Sequence, residues 1–323
     1  YEEHTPNYND WLWDYGFKVP DYRTWNGDSP KPATPVVGKG SIREKQYAAY
    51  LTSRLHLTDD LSLILGGRLT DWKRDTNTLL YGAGTSSVKE RETGVFIPYT
   101  GVVYDLDHNW SLYASYTKIF NPQASYVRDI NRGALPPLEG KGYEVGIKGS
   151  FYDEQLNASL ALFRLEQDNL AVWQSDTQAY RIEQSAKTQG VELEMNGELG
   201  EGWQASAVYA YSFTTDADDK HIVTALPRHM LKTFTSYRLP GMLDKVTVGG
   251  GVNWQTKTGE DLHYYHQGSY AIANLMARYD ISKNLSATVN LNNVFDREYY
   301  ARVYSEGVYG APRNFMTSLK YNF

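Results

Sequence analysis

The chain contains no cysteine. Disulfide staples, zinc held by cysteine clusters and thiol chemistry are excluded together. No stretch approaches the roughly 18 consecutive apolar residues that a membrane helix requires. Nor is one sign of charge dominant: 32 basic against 38 acidic side chains leave a net charge of −6. The two signs are interspersed, so nucleic acid, which selects basic stripes, is not a partner this composition suits. Histidine is scarce, 7 in 323 residues, and the Ser and Asp residues near His229 carry no catalytic signal. What the chain has in quantity is aromatic: 27 Tyr, 8 Trp and 10 Phe. All-β proteins and membrane barrels with aromatic girdles both use such a composition.

Periodicity decides the secondary structure. In "PYTGVVYDLDHNWSLYASYTKIFNP" (98–122) two runs of about ten residues alternate apolar with polar positions around a short polar turn. The pattern recurs along the chain. "QYAAYLTSRLHL" is followed by "LSLILGGRLTDW", "KGYEVGIKGSF" by "LNASLALFRLEQ", and "QGVELEMNGEL" by "WQASAVYAYSF". The series continues through "HMLKTFTSYRL", "KVTVGGGVNWQ", "SYAIANLMARY" and "LSATVNLNN" to "RNFMTSLKYNF". About thirteen antiparallel strands are predicted.

Strand length separates the two all-β readings. Soluble strands run about five or six residues. About ten residues at ~3.3 Å each, tilted by ~40°, cover the ~25 Å apolar band of an outer membrane. Connections also alternate: "TDD", "DLDHN", "YDEQ", "GEG" and "DISKN" are short. Those on the opposite side are long, at 80–93, 121–140, 168–188, 214–227, 258–268 and 293–312. Such sorting is the asymmetry of an outer-membrane barrel, with turns inside and loops outside. The fold class is therefore all-β, an antiparallel transmembrane β-barrel. Residues 1–41 are expected as a long extracellular loop and 42–323 as barrel strands. Arg54, Arg68, Lys118, Lys148 and Glu192 are placed on the watery inner face. An odd count of about thirteen strands does not close into a barrel of hairpins, so the chain is read as the C-terminal part of a larger one.

The blocks "GGRLTDW" (66–72), "PYTGVVYDLDHNWSLYASYTKIFNPQ" (98–123), "LPPLEGKGYEVGIKGSF" (135–151) and "LNNVFDREYY" (291–300) resemble the C-terminal barrel of TonB-dependent ferric-siderophore receptors. The terminal "PRNFMTSLKYNF" does so as well. Among the branches, the hydroxamate, pyoverdine and coprogen types are the most similar. The resemblance implies a plugged barrel of about 22 strands in the bacterial outer membrane, with earlier strands, plug and TonB box outside this sequence. It implies import powered through TonB, and contact with outer-membrane lipid and lipopolysaccharide. Phage or colicin are further partners that such loops invite.

The ligand implied is a ferric siderophore, which brings its own iron ligands. No resident cofactor and no protein metal ligand are therefore expected, and no catalytic residue. Flat aromatic walls with a few donors suit such a chelate. The segment "YNDWLWDYGFKVPDYRTWNGDSPKPATP" supplies the leading candidates Trp11, Trp13, Tyr15 and Trp25, with Tyr22 and Arg23 next. The loop at 121–140 adds Tyr126 and Arg128, and the loop near Gly268 adds Tyr264 and Tyr265. A haem receptor of the same scaffold would carry an FRAP…NPNL-like stretch around a loop histidine; His263 and His266 lack it. A cobalamin receptor would favour acidic calcium loops, of which "TTDADDK" (214–220) is a weak echo. A passive porin would need neither the aromatic loops nor the quoted blocks, and a barrel enzyme would need a catalytic constellation at one rim.

Overall fold

The computed structural model describes residues 2–5, 7–11, 34–174, 176–183, 186–259, 265–303 and 307–323. One antiparallel sheet of 16 strands dominates, and three of these are short: Glu2–His4, Asn7–Trp11 and His221–Ile222. The other thirteen form a simple meander. In chain order they are β1 (Val36–His56), β2 (Leu61–Leu80), β3 (Gly84–Asp105), β4 (Trp110–Asn121), β5 (Leu138–Phe151), β6 (Leu156–Asp168) and β7 (Ala186–Gly200). They continue as β8 (Trp203–Thr215), β9 (His229–Arg238), β10 (Val246–Gln255), β11 (Tyr270–Asp280), β12 (Leu285–Asn292) and β13 (Asn314–Tyr321). Each pairs with the next, and among the described residues the two outer columns of the sheet are not paired with each other.

Two boundaries differ from the sequence reading. Glu2–His4 lies opposite Gln46–Glu44 and Asn7–Trp11 opposite Ser41–Val36. These pieces form one broken column beside β1, and the sheet is fourteen columns wide rather than thirteen. Residues 2–4, 7–11 and 36–41, expected as loop, are thus strand; the pieces are too short and polar to show a period of two. The loop expected at 80–93 is likewise absent: β2 and β3 run on, and only residues 81–83 turn. The apolar alternation stops at a bulge between Thr70 and Trp72, where the Gly94 N–H donates to the Asp71 carboxylate at 2.7 Å. Beyond it charge pairing replaces greasy pairing. Arg74 faces Glu90 and Asp75 faces Lys89 across the strands, opposite-charge pairs of the kind that stabilise a ladder.

The apolar sides of these strands are not stacked on anything. The accessible surface is 21875 Å², whereas a compact soluble chain of 36.7 kDa would expose about 13,500 Å². Leu51, Leu69, Phe96, Val145, Leu162, Leu193, Leu275 and Leu319 all stand exposed on the same face. A soluble sandwich would bury this row against a second sheet. Aromatics border it at both ends. Trp110 meets Phe151 edge-on at 5.1 Å on the turn side, and Tyr116 meets Tyr143 at 5.5 Å on the loop side. From Trp203 to Phe213 the strand rises about 33 Å, or about 25 Å once tilted by ~40°, which matches the apolar band of an outer-membrane barrel.

The opposite face is polar and internally bonded. The Tyr113 hydroxyl donates to Glu144 at 2.5 Å, and the Lys148 ammonium sits 4.7 Å over the Tyr113 ring. Arg68 donates to Thr70 and Arg54 to Ser62. Aromatic side chains on this face cover strand glycines. A Cβ on Gly66 would strike Tyr99, and one on Gly146 would strike both Tyr113 and the Leu160 carbonyl. Arg54, Arg68, Lys148 and Glu192 occupy this face as expected, but Lys118 does not. It continues the outward row of Leu112, Ala114 and Tyr116, because position along the strand and not charge sets the side.

Candidate functional site

The long connections gather at one end of the meander, and two of them fold onto each other. Residues 122–137 are held by a run of local bonds. The Asp129 carboxylate accepts from the N–H groups of Asn131 and Gly133, and Gln123 donates to the Asn169 and Pro136 carbonyls. The next connection carries its own hairpin, Leu170–Gln174 against Ala179–Glu183. The Tyr180 N–H donates to the Arg128 carbonyl at 2.8 Å, and Asn169 to the Pro137 carbonyl at 2.9 Å.

Three aromatic rings share the surface of this pair. Trp173 and Tyr180 stand opposite one another in the hairpin, edge to face at 5.1 Å. Tyr126 approaches Tyr180 at 6.4 Å and is 72% exposed. Beside them a groove of about 420 Å³ is lined by Ile130, Leu135, Gln174, Tyr180 and Ile182 among others. Open aromatic faces beside a groove that mixes apolar side chains with Asp129, Asp176 and Arg181 offer stacking and polar contacts to a flat ligand.

Beneath the platform lies a buried ionic cluster. Glu90 takes two hydrogen bonds from Arg74, at 3.0 and 2.8 Å, and pairs with Arg128 at 3.4 Å. Glu44, on the other flank of β2, is 3.5 Å from Arg74 and accepts from the Trp72 indole at 3.0 Å. The Arg74 guanidinium stacks 4.9 Å from the Trp72 ring and donates to the Gln123 carbonyl at 2.6 Å. Three strands of wall and the 122–137 loop are thereby tied to one guanidinium, that of Arg74. Arg128 therefore serves first as a strut, and among the described residues its buried Nη1 has no hydrogen-bond partner.

Of the residues expected from sequence, Tyr126 and Arg128 are brought together with the Trp173 hairpin. Tyr265 belongs to a second aromatic cluster, edge-on to Tyr300 at 5.8 Å, with Tyr300 4.7 Å from Tyr309. Trp11 closes the edge segment, its backbone opposite Val36. Trp13, Tyr15, Tyr22, Arg23, Trp25 and Tyr264 lie outside the described residues. Trp173, Tyr180 and the Arg74–Glu90 pair escaped the sequence reading. Two aromatics flanking "QSDTQ" inside a long connection were the available sign of a hairpin. Among the described residues, no group of His, Asp and Glu side chains could hold a metal ion.

The family described as "TonB dependent receptor-like, beta-barrel" matches residues 3–294. A ferric-pyoverdine BN7/BN8 receptor of Pseudomonas putida is 61% identical over all of this chain, which spans 40% of that protein. The crystal structure of the Pseudomonas aeruginosa ferripyoverdine receptor bound to ferripyoverdine superposes with a TM-score of 0.79 at 40% identity. The match covers 94% of this chain and 42% of that one. A complex of FpvAI with pyocin S2 gives a TM-score of 0.80 at 40% identity, with 94% and 41% covered. The chain thus spans about two fifths of the length of its relatives, and it belongs to the β-barrel family of TonB-dependent outer-membrane receptors.

Proposed function

We propose that the complete protein binds a ferric siderophore of the pyoverdine class at its loop end and imports it with energy supplied through TonB. The observation that carries this reading is the 61% identity, over the whole chain, to a receptor named for ferric pyoverdine. The loop end suits it physically, because Trp173, Tyr180 and Tyr126 present stackable faces above a wall stiffened by the Glu90 cluster. Trp11, Trp13, Tyr15, Tyr22, Arg23 and Trp25 would supply a further aromatic flank, with Tyr264 and Tyr265 on another. The chelate carries its own iron ligands, so the protein supplies shape, stacking and hydrogen bonds. Plug and TonB box would belong to the part of the protein outside this chain. The relative seen in complex with pyocin S2 supports a bacteriocin as a further partner.

Haem or cobalamin cargo, a passive pore and barrel-borne catalysis are less well supported, since the relatives are named for siderophore transport. The test is quenching of intrinsic fluorescence in the complete receptor, titrated with a panel of ferric siderophores. A pyoverdine-class chelate should quench. Trp11→Ala, Trp13→Ala and Trp173→Ala should each weaken its binding roughly tenfold, as loss of a stacked aromatic contact does. Equal affinity in all three variants would remove the aromatic assignment. Failure of every siderophore to quench would remove the cargo.

A further inference from the structure

The block "GGRLTDW" lies in the wall, away from the loop end. Its Gly66 and Gly67 face Tyr99 and Pro98 of β3. The ladder is weak at this point, because glycine gives a neighbour nothing to grip and a proline inside a strand brings no N–H. Glycine-rich stretches also specify strand register poorly. The turn at 81–83 cannot set it from above, since the bulge at Thr70–Trp72 interrupts the pairing in between. A slip of two residues would take Glu90 off Arg74 and undo the cluster beneath the platform.

Aromatic side chains of β3 hold this point from both faces. On the inner side a Cβ at Gly66 would strike the Tyr99 ring, and on the outward side one at Gly67 would strike Phe96. The other neighbour of Gly66 is Thr52 of β1. The Tyr99 hydroxyl passes over the bare glycine and hydrogen-bonds the Thr52 hydroxyl, so one side chain spans three strands. The same figure recurs at the edge. Tyr8 faces Gly40 of β1 and covers it, and Gly40 faces Thr78 of β2. The Tyr8 hydroxyl lies 3.5 Å from that of Thr78.

We propose that these two Tyr–Gly–Thr sets are register locks for the four columns from the edge to β3. Each works only in the native pairing. Slipped by two, Tyr99 would meet Ile64 or Arg68, whose side chains lift the ring, with Arg54 or Tyr50 beyond in place of a hydroxyl at Thr52. Slipped by two, Tyr8 would meet Ile42, which blocks it, or Gly38, beyond which Leu80 offers no hydroxyl. The locks belong to the barrel wall and act whatever the cargo is.

The chain has no cysteine of its own, so pairs introduced into it report register by disulfide formation. Ser62 faces Val103. Ser62→Cys with Val103→Cys reads the native pairing; Ser62→Cys with Gly101→Cys, or with Asp105→Cys, reads a slip of two in either direction. Under mild oxidation of the complete receptor in membranes, the native pair should cross-link far more than the others. Tyr99→Leu should raise the slipped products roughly tenfold, as loss of a ring contact and a hydroxyl bond together would. Tyr99→Phe, which keeps the ring, should raise them roughly threefold. Tyr104→Leu, on the same strand but facing Leu61 and Leu112, should leave them as in the wild type. Asn9→Cys with Lys39→Cys, set against Asn9→Cys with Ser41→Cys, reads Tyr8→Leu in the same way. Slipped products that stay at the wild-type level in both Tyr99 variants overturn the proposal. An equal rise in Tyr104→Leu overturns it too, since any lost aromatic would then do. Where Tyr99→Leu fails to assemble, Tyr99→Phe decides.

Discussion

Replacing Glu90 by Gln keeps the shape of the side chain and removes the charge that two guanidinium groups share. Arg74, Glu90 and Arg128 keep only 5%, 9% and 13% of their side-chain surface exposed. After the substitution Arg74 retains Glu44 on one side, whereas Arg128 pairs with no other carboxylate among the described residues. Removing one partner from a buried ion pair costs about 3–5 kcal/mol. The ladder of β1 to β3 is continuous around Arg74, so the weaker attachment, the 122–137 loop, should yield first. At 1.4 kcal/mol per tenfold, the opening equilibrium of that loop rises by roughly two to three and a half orders of magnitude. Hydrogen exchange followed by mass spectrometry on the complete receptor reads this directly. Peptides covering 124–134 should exchange faster, while those covering 61–70 should not change. Adding Arg128→Met to Glu90→Gln removes the stranded cation and should restore part of the protection. Unchanged exchange in the loop, or strict additivity of the two substitutions, would refute the strut assigned to Arg128.

Leu193 lies midway between the girdles, exposed and flanked by Leu160 and Tyr209; Leu193→Arg should cost about 2–4 kcal/mol in denaturant unfolding from lipid vesicles, and a loss near zero would mean that this row does not face lipid. A Cβ on Gly146 would come within 2.6 Å of the Leu160 carbonyl oxygen and the Tyr113 ring, whereas Gly200 has nothing within 4 Å. Gly146→Val should therefore reduce the heat-resistant folded fraction on electrophoresis, and Gly200→Ala should leave it intact.

The strands from Gln46 onward were legible because one face must be greasy and the period is two. Leu193 and Leu162 announce their side without help from the rest of the chain. Past the Asp71–Gly94 bulge that signal vanishes, because β2 and β3 have left the apolar band and are held by charge pairs such as Arg74–Glu90. A local reading sees only polar residues there and infers a loop. Lys118 was misplaced for a related reason: charge suggests an inward direction, but an outward lysine at the rim can reach past the hydrocarbon. The aromatic site was half legible. Tyr126 could be chosen as an aromatic on a long connection. Its companions Trp173 and Tyr180 lie in a different connection, and Arg128 meets Glu90 across 38 positions. No local pattern encodes such meetings.

The unequal lengths of the strands set how far each part of the wall stands above the bilayer. β1, β2 and β3 have 21, 20 and 22 residues, so each reaches roughly 70 Å along its axis and about 50 Å in height at a ~40° tilt. β9 to β12 have 10, 10, 11 and 8 and end near the bilayer boundary. One flank of this sheet is a tall parapet and the other a low sill. Beyond the bilayer boundary the wall is therefore built from β1 to β3 far more than from β9 to β12.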